Sequence, residues 1–409
     1  MSNQSTHPFE FNVLMSKYKQ QVDIINALYR LKTTNEEDLR AIYKNIKTNL
    51  IQMQNYSPCD ILADISVMAT HNNRYLKSYF QIAKFIYEDY RPTEKITMLY
   101  IFDYLFYKEY GIVFDEDSRD LFEYYDSQNL SLNFLEENTM IKAIMNDYKE
   151  LFISFAGMDD FDINENLYND LFPDTEDEKY SLLELCCYYG SVNCFKFLMT
   201  NFQPKITKKC LQLSFLGGNT DIIHECLKHQ NPDKNCMMFA IISHNIDFVT
   251  YLKYEYNIEI DPFYSSDYID LQSFFVYLDQ TNEINECFVY SPKFHMTSLC
   301  EYFINNGADV NTHTFDGKTA LHYAAGEERK EMVEFLISKG AVINLKDIEG
   351  HTPLHNAAHM GNVEAAKSLI SHGANINEED NFGYKPLYYA NYWANSEMEN
   401  FLISHGAIN

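Results

Sequence analysis

The sequence is poor in the residues that punctuate a chain: 14 glycines, 10 prolines and one tryptophan among 409 residues. Collagen-like, linker-rich and turn-dense all-β designs are excluded by that scarcity. Long uninterrupted apolar runs are also missing. The most apolar stretch, ITMLYIFDYLFYKEYGIVF at 96–114, is broken by Asp103, Lys108 and Glu109, so no membrane span is predicted. The opening MSNQSTHPFE has no basic-then-apolar targeting pattern, and Ser2 stands where myristoylation requires glycine. Basic residues are scarce: 32 Lys and Arg face 59 Asp and Glu, a formal charge of −27. A field of that sign repels phosphate backbones, so nucleic-acid binding is not expected. It fits solubility, or a protein partner with a basic surface.

Nine cysteines form no C-x-x-C pair, and most sit in apolar phrases such as LLELCCYYG. They read as reduced thiols serving as small core residues in a cytoplasmic chain, the nucleus being the second compatible compartment. Hydrophobic residues make up 46% and aromatics 15%, a globular composition. At this length two domains or a repeat array are expected.

A repeat is present. Gly307, Gly340, Gly373 and Gly406 recur every 33 residues, and so do Gly317, Gly350 and Gly383. Around the second series stand DGKTALHYAA (316–325), EGHTPLHNAA (349–358) and FGYKPLYYA (382–390). Thr352 can cap a helix start, and Pro353 suits the first helical turn. Leu354, Ala357 and Ala358 give one apolar face thin enough for a close neighbour. A second helix carries Ala365, Ala366, Leu369 and Ile370, with Gly373 as its left-handed terminator. Each unit is helix–turn–helix plus a protruding loop, and it buries its apolar face only against the next unit.

At these residues the sequence resembles the ankyrin repeat, with its T-P-L-H-x-A phrase at period 33. The resemblance implies a structural hydrogen-bond role for the Thr and His. Ala320 replaces the proline of the first copy, and Lys385 and Tyr388 replace the Thr and His of the last, which is expected to close less regularly. Weaker copies lie upstream. SLLELCCYYG (181–190) aligns with TPLHNAAHMG (352–361), CLQLSFLGGN (210–219) and CMMFAIISHN (236–245) follow, and 283–311 runs into the regular register. The phrasing of this part is similar to the uncharacterised domain that precedes ankyrin repeats in trichomonad families, which carries no known catalytic activity. The expected fold is all-α: an ankyrin-type α-solenoid of about seven helix pairs behind an N-terminal helical domain. The expected segments are a helical domain at 1–157, an acidic linker at 158–179, degenerate repeats at 180–306, and regular repeats at 307–409 ending in a C-terminal cap.

In the front segment Leu14, Tyr18, Val22, Ile25 and Tyr29 share one helical face, and Thr34 with Glu37 reads as a capping box. Further helices are expected near 58–72, 75–90, 94–110 and 131–157, with Tyr79, Phe80, Phe85, Tyr87 and Tyr90 as core aromatics. In the linker, Asp160, Asp162 and Asn164 alternate as in a calcium loop. Glu165 and Leu171 then occupy positions where that loop needs Gly and Glu, which argues against calcium.

No nucleophile elbow, phosphate loop or dinucleotide fingerprint is present. His224 and His229 are spaced i, i+5, wrong for a helical zinc pair; His351, His355 and His359 are spaced i, i+4, i+8, but His355 already serves the repeat. No enzyme activity, metal or cofactor is expected. A stack of helix pairs presents a rigid concave face and loop tips to a protein segment. By resemblance, contact positions flank the turn glycine and end the first helix: Phe315, Asp316, Lys318 and Tyr323; Ile348, Glu349, His351, His359 and Met360; Asn381, Phe382, Tyr384, Tyr392 and Trp393. Trp393 is read either as a contact residue or as the seal on the end of the stack. The expected function is a non-enzymatic interaction module or scaffold. Alternatives are an effector or catalytic N-terminal domain aimed by the array, or a substrate adaptor for ubiquitin ligation. No feature sets an oligomeric state; a monomer is the default expectation.

Overall fold

The computed structural model describes residues 11–53, 56–92, 96, 98–115, 118–127, 139–159, 161–168, 171–173, 179–327 and 330–408. Asp160 of the calcium reading, the start of the helix expected at 94–110, and 131–138 of the one expected at 131–157 lie outside them. Two compact units are present: Tyr18–Ile260, and Met1–Lys17 with Asp261–Asn409.

The unit Tyr18–Ile260 opens with helices Lys19–Tyr29, Glu36–Asn45, Pro58–His71, Leu76–Tyr90, Tyr100–Tyr110, Arg119–Ser127, Met140–Met145 and Lys149–Ala156. Local chemistry sets their starts. Ser57 accepts from the Cys59 N–H with Pro58 in the first turn. Asn35, not Thr34, caps Glu36–Asn45, accepting from the Glu37 and Asp38 N–H groups. The Thr34 hydroxyl was one residue too early, and an Asn carbonyl is the better acceptor for that turn. Tyr79, Phe80, Phe102 and Phe106 are fully buried or nearly so. Phe80 meets Phe102 and Phe106 edge-on at 4.9 and 5.6 Å, the preferred geometry of an aromatic core.

Three helix pairs complete this unit: Leu182–Tyr189 with Val192–Asn201, Lys208–Gly217 with Thr220–Leu227, and Lys234–Ile242 with Ile246–Tyr256. The acidic stretch before them supplies the one departure from helix among the described residues that forms a sheet. Asn166–Leu167 pairs antiparallel with Tyr180–Ser181, and Ser181 then forms a capping box with Glu184. The front helices dock on these pairs. The Arg74 guanidinium donates to the Tyr189 carbonyl at 2.6 Å, the Tyr188 hydroxyl to Thr70 O at 3.1 Å, and Asp147 accepts from the Asn193 and Cys194 N–H groups. Residues on both sides of the 158–179 stretch thus pack into one unit. All nine cysteines are buried, and none forms a disulfide.

The other unit holds five pairs. They are Pro262–Asp267 with Leu271–Thr281, Ile284–Tyr290 with Thr297–Asn305, Ala320–Gly326 with Lys330–Ser338, Pro353–Met360 with Val363–Ser371, and Pro386–Tyr392 with Ser396–Ser404. Helix Phe11–Lys17 packs on Leu271–Thr281, its Phe11 N–H donating to Asp279 at 3.3 Å. Among the described residues the repeat region thus has eight pairs, where about seven were expected. The pair at 262–281 escapes a glycine search because Ile269 takes the left-handed joint between its helices, at φ 55°. His244, His295 and Ala394 do the same at their joints (φ 51°, 62° and 55°), where Gly190 and Gly361 serve in other pairs.

The regular copies show why period 33 is enforced. Thr319 with His322, and Thr352 with His355, form reciprocal caps. The far nitrogen of each ring then reaches the next hairpin: His322 Nε2 lies 3.1 Å from His351 O, and His355 Nε2 3.3 Å from Tyr384 O. Lys385 makes no side-chain cap, so the last copy lacks this closure. Asparagines form a second ladder. The side chains of Asn311, Asn344 and Asn377 donate to the carbonyls of Gly340, Gly373 and Gly406. They also accept from the N–H groups of Val342, Asn375 and Ile408. In the last helix Met398 and Leu402 are fully buried, whereas Ile403 is 51% exposed. Its place in the helix, one residue past Leu402, turns it to the outer face.

Candidate functional site

The hairpin tips of the last two copies are each organised by one carboxylate. Asp347 accepts from the N–H groups of Glu349 and His351 at 3.0 and 2.8 Å. Asp380 accepts from those of Phe382 and Tyr384 at 2.8 and 2.9 Å. The tips are tied to one another through the main chain. The Ile348 N–H donates to Asp316 O, and the Asn381 N–H to Glu349 O, both at 3.0 Å. Asn381 also donates its side-chain amide to Ile348 O at 2.8 Å. With the backbone spent this way, Phe315, Ile348 and Phe382 project outward, 94%, 63% and 70% exposed. The side chains of Asp316 and Lys318 lie 3.6 Å apart.

Behind the tips of the last two copies runs a ladder of rings. Tyr384 stacks on Tyr388 at 3.9 Å, and Tyr388 faces Tyr392 at 6.0 Å, one helical turn on. Tyr392 meets Trp393 edge-on at 5.3 Å, and Trp393 stacks on His359 of the preceding copy at 4.9 Å. Met360 is exposed beside His359. Tyr384, Tyr388, Tyr392 and Trp393 keep 38–67% of their surface in solvent.

His351 sits beneath this ladder, among Asp347, Glu349 and Asp380 at 3.4–3.7 Å, with its Nε2 2.8 Å from the Tyr389 hydroxyl. Tyr389 in turn donates to Asp380 at 2.6 Å. The hydrogen bond to Asp347 raises the imidazole pKa, against the burial that opposes it. Burial lowers that of His355 to about 4, and it also lowers that of His359. These shifts belong to a satisfied internal network.

Of the fourteen residues read from sequence, His359, Met360, Phe382, Tyr384, Tyr392 and Trp393 gather at the end of the array. Ile348, Glu349, Asp316 and Asn381 line the tips, while His351 is largely a tie between hairpins. Tyr323 stands apart, its ring 5.3 Å from Tyr290 and under Lys293. Tyr388 and Tyr389 were missed as site residues. Tyr388 carried a signal, since it replaces the repeat's structural His and has no cap to complete.

Helix pairs stacked through tip-to-tip main-chain bonds define a helical repeat array of the protein-binding class. Residues 281–347 and 342–409 match the family of ankyrin repeats (three copies). Residues 202–277 match the domain of unknown function (DUF3447). The chain therefore carries ankyrin repeats at 281–409, preceded by a DUF3447 helical domain; the match speaks to domain type and not to a protist lineage. No curated protein matches the sequence. Ankyrin repeats are in general protein–protein interaction modules without chemistry of their own. Among the described residues no helix is long and apolar enough to cross a membrane, and no group of three His, Cys, Asp or Glu could hold a metal ion.

Proposed function

We propose that the regular repeats at 307–409 bind a protein partner through the tips and the ring ladder, and that the protein acts as a non-enzymatic interaction module or scaffold. The ladder Tyr384–Tyr388–Tyr392–Trp393–His359 carries this reading. Large rings held in mutual stacks are already ordered, so a partner covering them loses little side-chain entropy, and Tyr and Trp dominate interface energetics. The partner surface is basic: residues 301–409 hold 15 acidic against 7 basic side chains, and Glu349 is exposed beside the tips. Phe315, Ile348 and Phe382 extend the surface along the tips. Nine buried thiols outside any disulfide support a reducing compartment, the cytoplasm or nucleus.

The test is cross-linked partner capture with wild type and with Tyr388→Ala/Tyr392→Ala/Trp393→Ala. Losing two or three anchor rings of about 2 kcal/mol each is expected to reduce partner recovery more than tenfold. Melting of the variant is measured alongside. An unchanged set of partners with unchanged melting refutes the surface.

A further inference from the structure

A cavity of about 470 Å³ in the unit Tyr18–Ile260, open to solvent, lies between two docking points. At one, the end of helix Lys19–Tyr29 meets the third helix pair. The Tyr29 ring stacks on His244 at 3.8 Å, His244 Nδ1 lies 2.7 Å from Asn26 Oδ1, and Arg30 donates to the Ser243 carbonyl at 3.5 Å. At the other, the turn after helix Pro58–His71 meets the first pair. Arg74 donates to Tyr189 O, and the Tyr189 hydroxyl donates to Asn73 at 2.9 Å. Between them the second pair offers Leu216 and the Gly217–Gly218 backbone as floor. A Cβ placed at Gly218 would meet nothing nearer than a Phe248 ring carbon at 4.0 Å.

Charge marks this cavity out from the rest of an acidic chain. Its walls hold Arg30, Lys32 and Arg74 against one carboxylate, Asp247. None of the three cations forms an ion pair with a carboxylate among the described residues. Helix ends at Tyr29, His71, Tyr189, Gly217 and Ile242 converge here. Their partial negative charge explains why two arginines are held in place, each giving an N–H to a carbonyl. A guanidinium has five such donors, so most of each fork is left over for an incoming acceptor. Two asparagines on the walls add main-chain complementarity. Asn72 commits its amide N–H groups to Leu31 O and the Tyr79 hydroxyl, and its carbonyl oxygen takes no hydrogen bond among the described residues. Asn245 commits its carbonyl oxygen to the Asp247 N–H, and its amide donates to no group among the described residues.

We propose that this cavity binds an acidic peptide segment, with its carboxylates on Arg30, Lys32 and Arg74 and its main chain against Asn72, Asn245 and the diglycine floor. An acceptor and a donor at the walls match a peptide unit, which an inorganic anion would not use. Carboxylates on positioned arginine forks supply the charge recognition.

Fluorescence anisotropy of labelled hexaglutamate against the full chain tests this, with uncharged hexaglutamine as the control. Hexaglutamate is expected to bind the tighter of the two, and more weakly as salt rises. Arg30→Glu/Lys32→Glu, at two exposed positions, is expected to weaken it about tenfold or more. Asp247→Asn is expected to tighten it severalfold, a gain that misfolding cannot produce. Absence of hexaglutamate binding at millimolar concentration, equal affinity for the two peptides, or indifference to both variants overturns the proposal. Displacement by an equal concentration of inorganic phosphate also overturns it, in favour of a small-anion site.

Discussion

The tightest test of how the helix pairs stack is Gly217→Ala. Gly217 ends the first helix of the second pair, where it crosses the first helix of the preceding one. A Cβ there would lie 2.1 Å from Cys187 O, 2.8 Å from Gly190 N and 2.9 Å from Tyr188 O. All three neighbours are backbone, so no rotamer change can make room. Contacts below 3.0 Å are essentially never seen for a Cβ, so the two helices must part by about 0.9 Å. A gap of that size forfeits roughly a quarter to a half of each van der Waals contact across the seam. Cys186, Cys187, Cys210 and Leu211 are fully buried at that seam. Overpacking costs about 1–3 kcal/mol, and the rigid neighbours put this case at the upper end. For a unit of this size about 3 kcal/mol lowers the melting temperature by roughly 6–12 °C. Gly218→Ala is the control: it has space but sits at φ 72°, and is expected to cost about 1 kcal/mol, or roughly 2–4 °C. Differential scanning calorimetry of the three proteins decides. If Gly217→Ala melts within 2 °C of wild type, or no lower than Gly218→Ala, the close approach does not hold the stack.

Ala394→Gly is expected to stabilise the last pair by about 1 kcal/mol, the left-handed penalty of a non-glycine less the entropy glycine loses on folding; a lowered melting temperature contradicts it. Acid should weaken the middle repeat. The folded-state pKa of His355 is about 4 against an ordinary 6.5, so its contribution is complete above 6.5 and is lost as pH falls towards 4, up to about 3 kcal/mol. His351, with a raised pKa, has the opposite sign: its contribution is present below 6.5 and is lost as pH rises through its folded value. Melting curves between pH 7 and pH 4 should therefore show a smaller loss in His355→Gln than in wild type, and equal losses refute the assignment. Asn344→Ala removes both ladder bonds to the next hairpin and is expected to cost about 1–2 kcal/mol, seen as faster hydrogen exchange at the Asn375 amide; unchanged exchange there refutes it.

Where residues carry a conformational or capping duty, the sequence was transparent. Glycines at period 33, Thr352 with Pro353, and His355 define hairpin and helix with no information from elsewhere, and the structure places them so. The loss of the cap at Lys385 and Tyr388 was equally legible. What escaped depended on tertiary support. Ile269 sits in a left-handed conformation that its own type disfavours, and it is 5% exposed, held by surrounding packing. The helix read through Tyr18 is interrupted there, between Phe11–Lys17 and Lys19–Tyr29, although the apolar period runs straight through. Helix Arg119–Ser127 was not foreseen, since only Phe122 of its residues is buried. At the interaction surface the tip residues followed from spacing, but the stacked ladder did not. Whether Tyr388 lies over Tyr384 or inside a core is set by the rotamers of neighbours, which no spacing rule encodes.

The left-handed joints at His244, Ile269, His295 and Ala394 have a mechanical meaning. Each stores about 1–2 kcal/mol of backbone tension that a glycine joint does not. In a repeat array, tension of that kind makes local hinges between stacked pairs. Where the joint is also exposed, as at Ala394 in the last pair, the seam opens first on the way to unfolding and is open to a protease, whereas the packing around His244 and Ile269 holds theirs shut.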